Sequence, residues 1–290
     1  MKRSDILWLA FLLITVNAAS VAARPADPQE TGTAASYYDV GVKRHGSGRY
    51  EEAAEAYREA TRRDPAFAEA YNNLGNVYAE MGRYEEAVAA LRRAIRIRPD
   101  YATAHHNLGV AYADSGDYVR AAEAFKQALR LRPGYSATYN SLGKVYVNSG
   151  RFGEAADAFA RATRLNPDDA EARHNSGYAL YNLGRYGRAA DDFKSALRLR
   201  VDYAAAYNGL GLAYTGMGLH AEAVEAFEQV IRLKPDAAEA RLNLGVAYLS
   251  LGRLDAALGQ HAALSDLNPA LAERLFEAVR HQKLLAVTHK

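Results

Sequence analysis

The chain has 290 residues, a formal net charge of +2 and no cysteine. The balanced charge argues against nucleic acid or an anionic membrane as the main partner. The lack of cysteine excludes structural disulfides, thiol catalysis and cysteine-based metal sites.

The first 23 residues have the features of a secretory signal peptide. Lys2 and Arg3 precede an apolar run at residues 6–16, and small residues follow as far as Ala23. A basic start, an apolar stretch and a small-residue exit together predict export, with cleavage after Ala23. We therefore expect a periplasmic or cell-surface protein.

Two alternatives to this cleavage stay open. Cleavage after Ser20 or Ala22 would also follow small residues. An uncleaved segment at residues 6–23 would be just long enough to anchor the protein in a membrane. In that case the membrane contact would be limited to this segment. A polar linker is expected at residues 24–33.

Seven units of 34 residues follow without insertion or deletion between residues 34 and 271. Within each unit a glycine recurs at position 8, a second glycine at position 15 and an alanine at position 20. Proline occupies position 32 in six units, and Val201 stands there in the fifth. A fixed period of this length predicts a stack of repeated supersecondary units. The units are residues 34–67, 68–101, 102–135, 136–169, 170–203, 204–237 and 238–271.

Each unit is predicted to contain two helices, A and B, because apolar residues recur at helical spacing and no stretch alternates with period two. The first glycine and the alanine are expected where the two helices approach closely. The second glycine is expected to end helix A in a conformation with positive φ. Proline is expected to end helix B, since it cannot continue a helix.

The second unit carries a recognisable pattern at Tyr71, Leu74, Gly75, Tyr78, Ala87, Leu91, Ala94 and Pro99. This pattern resembles the tetratricopeptide repeat (TPR), which reads W-x2-L-G-x2-Y, then A-x3-F, then P. The resemblance spans residues 34–271, and together with the export signal and the lack of cysteine it points to an exported, bacterial type of TPR protein. It implies an all-α solenoid wound as a right-handed superhelix, with helix A lining a concave groove.

Residues 272–290 form an amphipathic tail that we interpret as a capping helix, the alternative being a helix that binds a membrane or a partner. Its apolar side chains can face one side of a helix and cover the open end of the last unit. These apolar residues are Leu275, Phe276, Val279, Leu284 and Leu285.

Asparagine dominates position 6 of helix A, which holds Asp39, Asn73, Asn107, Ser141, Asn175, Gly209 and Asn243. An amide can both donate to and accept from the backbone of an extended peptide. The column resembles the asparagine ladder in the TPR domain of O-linked N-acetylglucosamine transferases, which holds peptide. The alternative is that these amides bond the neighbouring helix.

The fifth unit departs most from the pattern, with Arg173, Ser176 and Leu180 at framework positions. Tyr178 and Tyr181 appear nearby, which suggests a binding hot spot. The alternative is that one of these tyrosines fills the space left at Leu180. The candidate peptide-binding residues are Asn73, Asn107, Asn140, Lys144, His174, Asn175, Tyr178, Tyr181, Asn208 and Asn243.

No phosphate loop, metalloprotease motif or nucleophile elbow occurs, so we expect no enzyme activity, metal or cofactor. The expected function is a protein–protein interaction scaffold that binds an extended peptide or partner helix, in the assembly of an envelope complex. One alternative is an accessory substrate-binding subunit of a protein glycosylation system. Another is an electrostatic binder of an acidic polymer or membrane surface through basic residues near the ends of the B helices. The oligomeric state stays open.

Overall fold

The computed structural model describes residues 32–288, with side chains described as far as His281. The predicted signal peptide and most of the linker therefore lie outside the described residues. The described span contains fifteen α-helices and no strand. They are α1 (Ala34–His45), α2 (Tyr50–Arg63), α3 (Ala68–Glu80), α4 (Tyr84–Ile97), α5 (Ala102–Asp114), α6 (Tyr118–Leu131), α7 (Ser136–Asn148), α8 (Phe152–Leu165), α9 (Ala170–Asn182), α10 (Tyr186–Leu199), α11 (Ala204–Gly216), α12 (His220–Leu233), α13 (Ala238–Ser250), α14 (Leu254–Leu267) and α15 (Pro269–Thr288).

The first fourteen helices form seven antiparallel pairs, with odd-numbered helices as helix A and even-numbered helices as helix B. Every helix packs on the next along the chain. From α3 onward, each helix A also touches the following helix A, whereas successive B helices make no comparable contact in the described residues. The A helices therefore lie on the inner side of the stack. These contacts confirm the all-α solenoid of repeated helix pairs.

The turn from helix A to helix B has the same geometry in every unit. In the second unit Gly82 has φ of 72°, and the Arg83 N–H donates to the Tyr78 carbonyl at 2.8 Å. This is the pattern of a Schellman cap, which needs a residue in the left-handed region. The predicted role of the second glycine is confirmed in all seven units, at Gly48, Gly82, Gly116, Gly150, Gly184, Gly218 and Gly252.

The end of helix B does not depend on proline. Helix α10 ends at Leu199 although Val201 replaces proline, and the other B helices end at the same position of their units. In α10 the Arg200 N–H donates to the Ala196 carbonyl at 2.9 Å and closes the last turn. Proline is therefore not required for this boundary in the fifth unit.

The first glycine of each unit lies under a large side chain of helix B. A Cβ atom built on Gly143 would lie 2.5 Å from Cε1 of Phe159, and one on Gly75 would lie 2.5 Å from Cγ of Leu91. The residue that fills this space is fully buried in the first six units. The expectation of a close helix approach at this glycine is therefore confirmed.

The seventh unit differs because its helix B has His261 at the position of that large side chain. Leu275 of α15 fills the space instead, since its Cδ2 would lie 2.5 Å from a Cβ on Gly245. Leu275 and Val279 are fully buried, and α15 packs on both α13 and α14. The tail thus caps the stack as predicted, and it begins at Pro269, inside the predicted seventh unit. Across the described span, none of the helices has the length and hydropathy to cross a membrane.

Replacing Gly143 with alanine should lower the free energy of unfolding by about 1–3 kcal/mol, because Phe159 must move to admit a methyl group. Gly153 is the matched control, since a Cβ there meets nothing within 4 Å in α8. Gly153→Ala should leave stability equal or higher by up to about 1 kcal/mol. Urea unfolding followed by circular dichroism measures both, and equal effects of the two substitutions would contradict the close approach.

Candidate functional site

The candidate site is the inner face of the A helices. In the first three units, the asparagine side chains of this face form hydrogen bonds with one another. Asn107 Nδ2 donates to Asn72 Oδ1 at 2.9 Å, and Asn72 Nδ2 donates to Asn73 Oδ1 at 3.1 Å. Asn73 Nδ2 in turn donates to the hydroxyls of Tyr38 and Tyr57, at 3.1 and 3.4 Å. A hydrogen-bonded chain thus joins three successive units.

The same arrangement recurs further along the stack. Asn175 Nδ2 donates to Asn140 Oδ1 at 3.1 Å, again across 35 residues. Position 6 of one unit therefore bonds position 5 of the preceding unit. Of the two roles that the sequence left open, these contacts support the structural one for Asn73, Asn107 and Asn175.

Asn208 and Asn243 stand in this register but behave differently. They are also 35 residues apart, and both are partly exposed. No hydrogen bond of either side chain is found among residues 32–288, so both amides remain open to a ligand.

The two histidines at position 5 are packing residues. His106 Nδ1 lies 2.9 Å from Thr138 Oγ1 in the next unit, and its ring centroid lies 5.4 Å from that of Phe125. Burial lowers the pKa of His106 to about 4. His174, a predicted groove residue, lies between Phe193 and Tyr203, and burial lowers its pKa as well. Both rings are therefore neutral at pH 7, and His106 also joins its unit to the next through Thr138.

Position 9 of the A helices carries the exposed apolar side chains of the inner face. Val42, Tyr178 and Val246 are 45%, 44% and 40% exposed. Leu212 is partly exposed at the same position of the sixth unit. Lys144 is the cation of this column, and its ammonium donates to Glu171 Oε1 of the next unit. That hydrogen bond lowers the pKa of Glu171.

The two tyrosines of the fifth unit occupy different environments. Tyr178 lies on the open face, whereas Tyr181 is partly buried and packs against Tyr186 with ring centroids 5.5 Å apart. Leu180 is also partly buried and contacts the core on both sides. Tyr178 therefore suits contact with a ligand, while Tyr181 packs against the adjoining helix B.

The framework substitutions of the fifth unit form a polar cluster inside the helix pair. Arg173 Nη1 lies 3.7 Å from Asp192 Oδ1, and the buried Ser176 hydroxyl also bonds Asp192. Burial raises the pKa of Asp192. Sequence reasoning missed Asp192, although it replaces the alanine that five other units have at position 23.

The seventh unit repeats this compensation. Arg241 stands where most units have an aromatic residue, and Gln260 replaces the alanine at position 23. Arg241 Nη1 donates to Gln260 Oε1 at 3.4 Å. An arginine on helix A is thus matched each time by a polar partner on helix B, which accounts for the irregular fifth unit without a ligand.

The described residues hold no group of three or more histidine, aspartate or glutamate side chains suited to a metal ion. Layered helix pairs with a continuous inner face define an α-solenoid, a repeat scaffold of a kind typical of protein–protein interaction.

Sequence profiles identify which solenoid family this is. The TPR repeat profiles match residues 44–82 and 75–116, and a second tetratricopeptide repeat profile matches residues 140–202, 174–216 and 208–271. A third matches residues 102–135. The chain belongs to the tetratricopeptide repeat proteins, as its sequence pattern predicted.

Solved structures agree with this assignment. The chain is 28% identical to YrrB, described as a TPR protein with an unusual peptide-binding site, over 64% of this chain and 96% of YrrB, with a TM-score of 0.58. It is 30% identical to MamA over 60% of this chain and 96% of MamA, with a TM-score of 0.57. PilF of Pseudomonas aeruginosa, 23% identical over 74% of this chain and 98% of its own, shares the fold with a TM-score of 0.62. A comparison with curated proteins gave no match.

Asp192→Ala alone should lower the free energy of unfolding by about 1–3 kcal/mol, because it leaves the Arg173 guanidinium without its partner. Adding Arg173→Tyr, which restores the pattern of the other units, should return stability to the wild-type value or above. Arg241→Tyr with Gln260→Ala is the matched pair in the seventh unit. Urea midpoints measure all of these. Equal stability of Asp192→Ala and wild type would show that the contact contributes nothing.

Stability should also fall in acid through His106. Its folded pKa of about 4 lies below the ordinary value, so the unfolded chain binds a proton that the folded protein does not. The free energy of unfolding is therefore unaffected by protonation of His106 well above pH 6.5. It falls by roughly 3 kcal/mol as the pH drops to about 4. His106→Asn, which matches Asn140 and Asn208 in the same column, should reduce this loss. Chemical unfolding at several pH values tests it, with His105→Asn as the control. A wild-type slope retained in His106→Asn would contradict the assignment.

Proposed function

We propose that this protein is a non-catalytic scaffold that binds an extended peptide or a helix of a partner protein along the inner face of its A helices. The observation that carries the proposal is the position-9 column, where Tyr178 and Val246 are large, exposed and on the side where successive A helices meet. Apolar side chains grouped on a concave surface are typical of sites for a protein partner.

The stack suits a long and narrow ligand. Its layers are held rigidly by buried aromatic residues and by amide pairs, so a ligand meets a surface that needs little rearrangement. Open amides can bond an extended backbone whatever its side chains, as in peptide recognition by grooves. The peptide-binding site named for YrrB supports this mode of binding, since YrrB is 28% identical to the chain.

We further propose that the partner belongs to an envelope complex. This part rests on the sequence of residues 1–23, whose basic start, apolar run and small-residue exit are those of an export signal. A scaffold outside the cytoplasm would hold components of such a complex in place without chemistry of its own.

Photo-crosslinking in the native cell tests the binding face. A benzophenone amino acid placed at Tyr178 should crosslink to a partner protein and shift the band on a denaturing gel. Val119 on helix α6 is the control, because it is 73% exposed but belongs to a helix B. The same reagent there should give little or no crosslink, since the ligand would lie on the other side of the stack.

Two outcomes would contradict the proposal. Equal crosslinking from Tyr178 and Val119 would place the partner outside the inner face. A crosslinked species found in the cytoplasmic fraction rather than the envelope fraction of the same cells would remove the assignment to an envelope complex while leaving the binding face intact.

A further inference from the structure

Three contacts that occur elsewhere in the stack are all missing, among the described residues, around the boundary between the sixth and seventh units. The first is the amide contact between positions 5 and 6. It is closed by a hydrogen bond at Asn72–Asn107 and Asn140–Asn175, but within the described residues it is open at Asn208–Asn243. Two unpaired amides therefore lie side by side on α11 and α13.

The second difference concerns the glutamate at position 2 of helix A. Lys144 neutralises Glu171 across 27 residues, from position 9 of one unit to position 2 of the next. Leu212 takes the place of that lysine in front of Glu239, at the same separation. An apolar side chain thus replaces the cation, as Val42 does in front of Glu69 in the second unit.

The third difference is at position 31, where an arginine can also pair with the glutamate at position 2. Arg98 pairs with Glu69 across 29 residues within the second unit. Asn268 stands at the matching place in the seventh unit, and its Oδ1 instead accepts from the Leu271 N–H at the start of α15. Glu239 is exposed and forms no ion pair within residues 32–288.

The surface around the two amides and Glu239 is apolar, and its residues on α11 are small. On helix α11, Ala205 is small and exposed, and a side chain is excluded at Gly209 because Phe193 Cζ would lie 2.4 Å from its Cβ. Tyr178 and Val246 rise on the neighbouring helices. Among residues 32–288 this surface combines apolar side chains, two amides without a hydrogen bond and one carboxylate without a counter-ion, and we call it the trough.

We propose that this trough, on helices α9, α11 and α13, binds an extended segment of a partner protein that carries a lysine or arginine next to apolar residues. The Asn208 and Asn243 amides bond its backbone, and Tyr178, Leu212 and Val246 contact its apolar side chains. Glu239 pairs with its basic side chain, which charge complementarity favours over an acidic one. This inference rests on the proposed function and narrows it to one half of the groove and one ligand chemistry.

Selection from a displayed library of random 12-residue peptides, with the purified protein as the target, tests the ligand chemistry. The enriched sequences should place Lys or Arg beside aliphatic or aromatic residues. One enriched peptide is then synthesised with a fluorescent label, and its binding is measured by anisotropy. Asn208→Ala with Asn243→Ala should weaken binding about tenfold. Glu239→Gln should weaken it severalfold at low salt and less at high salt.

The first and third units supply control positions for these substitutions. Val246→Ser should weaken binding, whereas Val42→Ser, at the same position of the first unit and equally exposed, should leave it unchanged. Asp114→Asn, an exposed carboxylate on α5, is the control for Glu239→Gln. Unchanged circular dichroism of each variant shows that the fold is retained.

The outcomes separate this inference from the proposed function. Enrichment of acidic peptides, or loss of binding in Val42→Ser but not in Val246→Ser, would overturn the inference and leave a peptide-binding groove standing. Enrichment of no sequence, together with absence of a Tyr178 crosslink in cells, would overturn both. A basic, apolar consensus whose binding depends on Glu239 and on the two amides would support both.

Discussion

The structure depends on one recurring contact, in which a large side chain from helix B packs directly onto the backbone of helix A at a glycine. Phe159 over Gly143 is a typical case, with no room for a methyl group between them. Because this contact sets the distance between the two helices, it also sets the distance from one layer to the next. The cap shows how general the constraint is, since Leu275 supplies the side chain that the seventh unit lacks.

Regular layers bring the same positions of successive units side by side, and the inner face follows from that. Amides at positions 5 and 6 meet across 35 residues and bond each other, so most of the asparagine column is part of the fold. Amides are left free of such bonds, within the described residues, at Asn208 and Asn243. The boundary between units six and seven combines an open amide pair with Glu239, for which Leu212 and Asn268 stand where Lys144 and Arg98 supply a cation to glutamates of other units. The loss of the arginine at Asn268 is itself a consequence of capping, because that side chain begins α15.

In the irregular fifth unit, substitutions on helix A are compensated by a substitution on helix B. Arg173 and Ser176 depart from the helix A pattern, but both contact Asp192 on helix B. The same exchange occurs between Arg241 and Gln260. Residues that look degenerate in one helix are thus part of a polar pair across the interface, and only Tyr178 of the two nearby tyrosines remains on the open face.

The sequence by itself determined the helix pairs, their number, the turn at each positive-φ glycine and the capping tail, because these follow from local periodicity and from steric rules that act within a few residues. It placed the asparagines in one column but left their role open. Only the tertiary structure decided that Asn73, Asn107 and Asn175 tie the layers together and that Tyr181 packs inward. It also decided that Asn208, Asn243 and Glu239 have no side-chain hydrogen bond or ion pair within residues 32–288. Those outcomes depend on which side chains meet between residues 27 to 35 positions apart, and such pairings arise only when the layers are stacked.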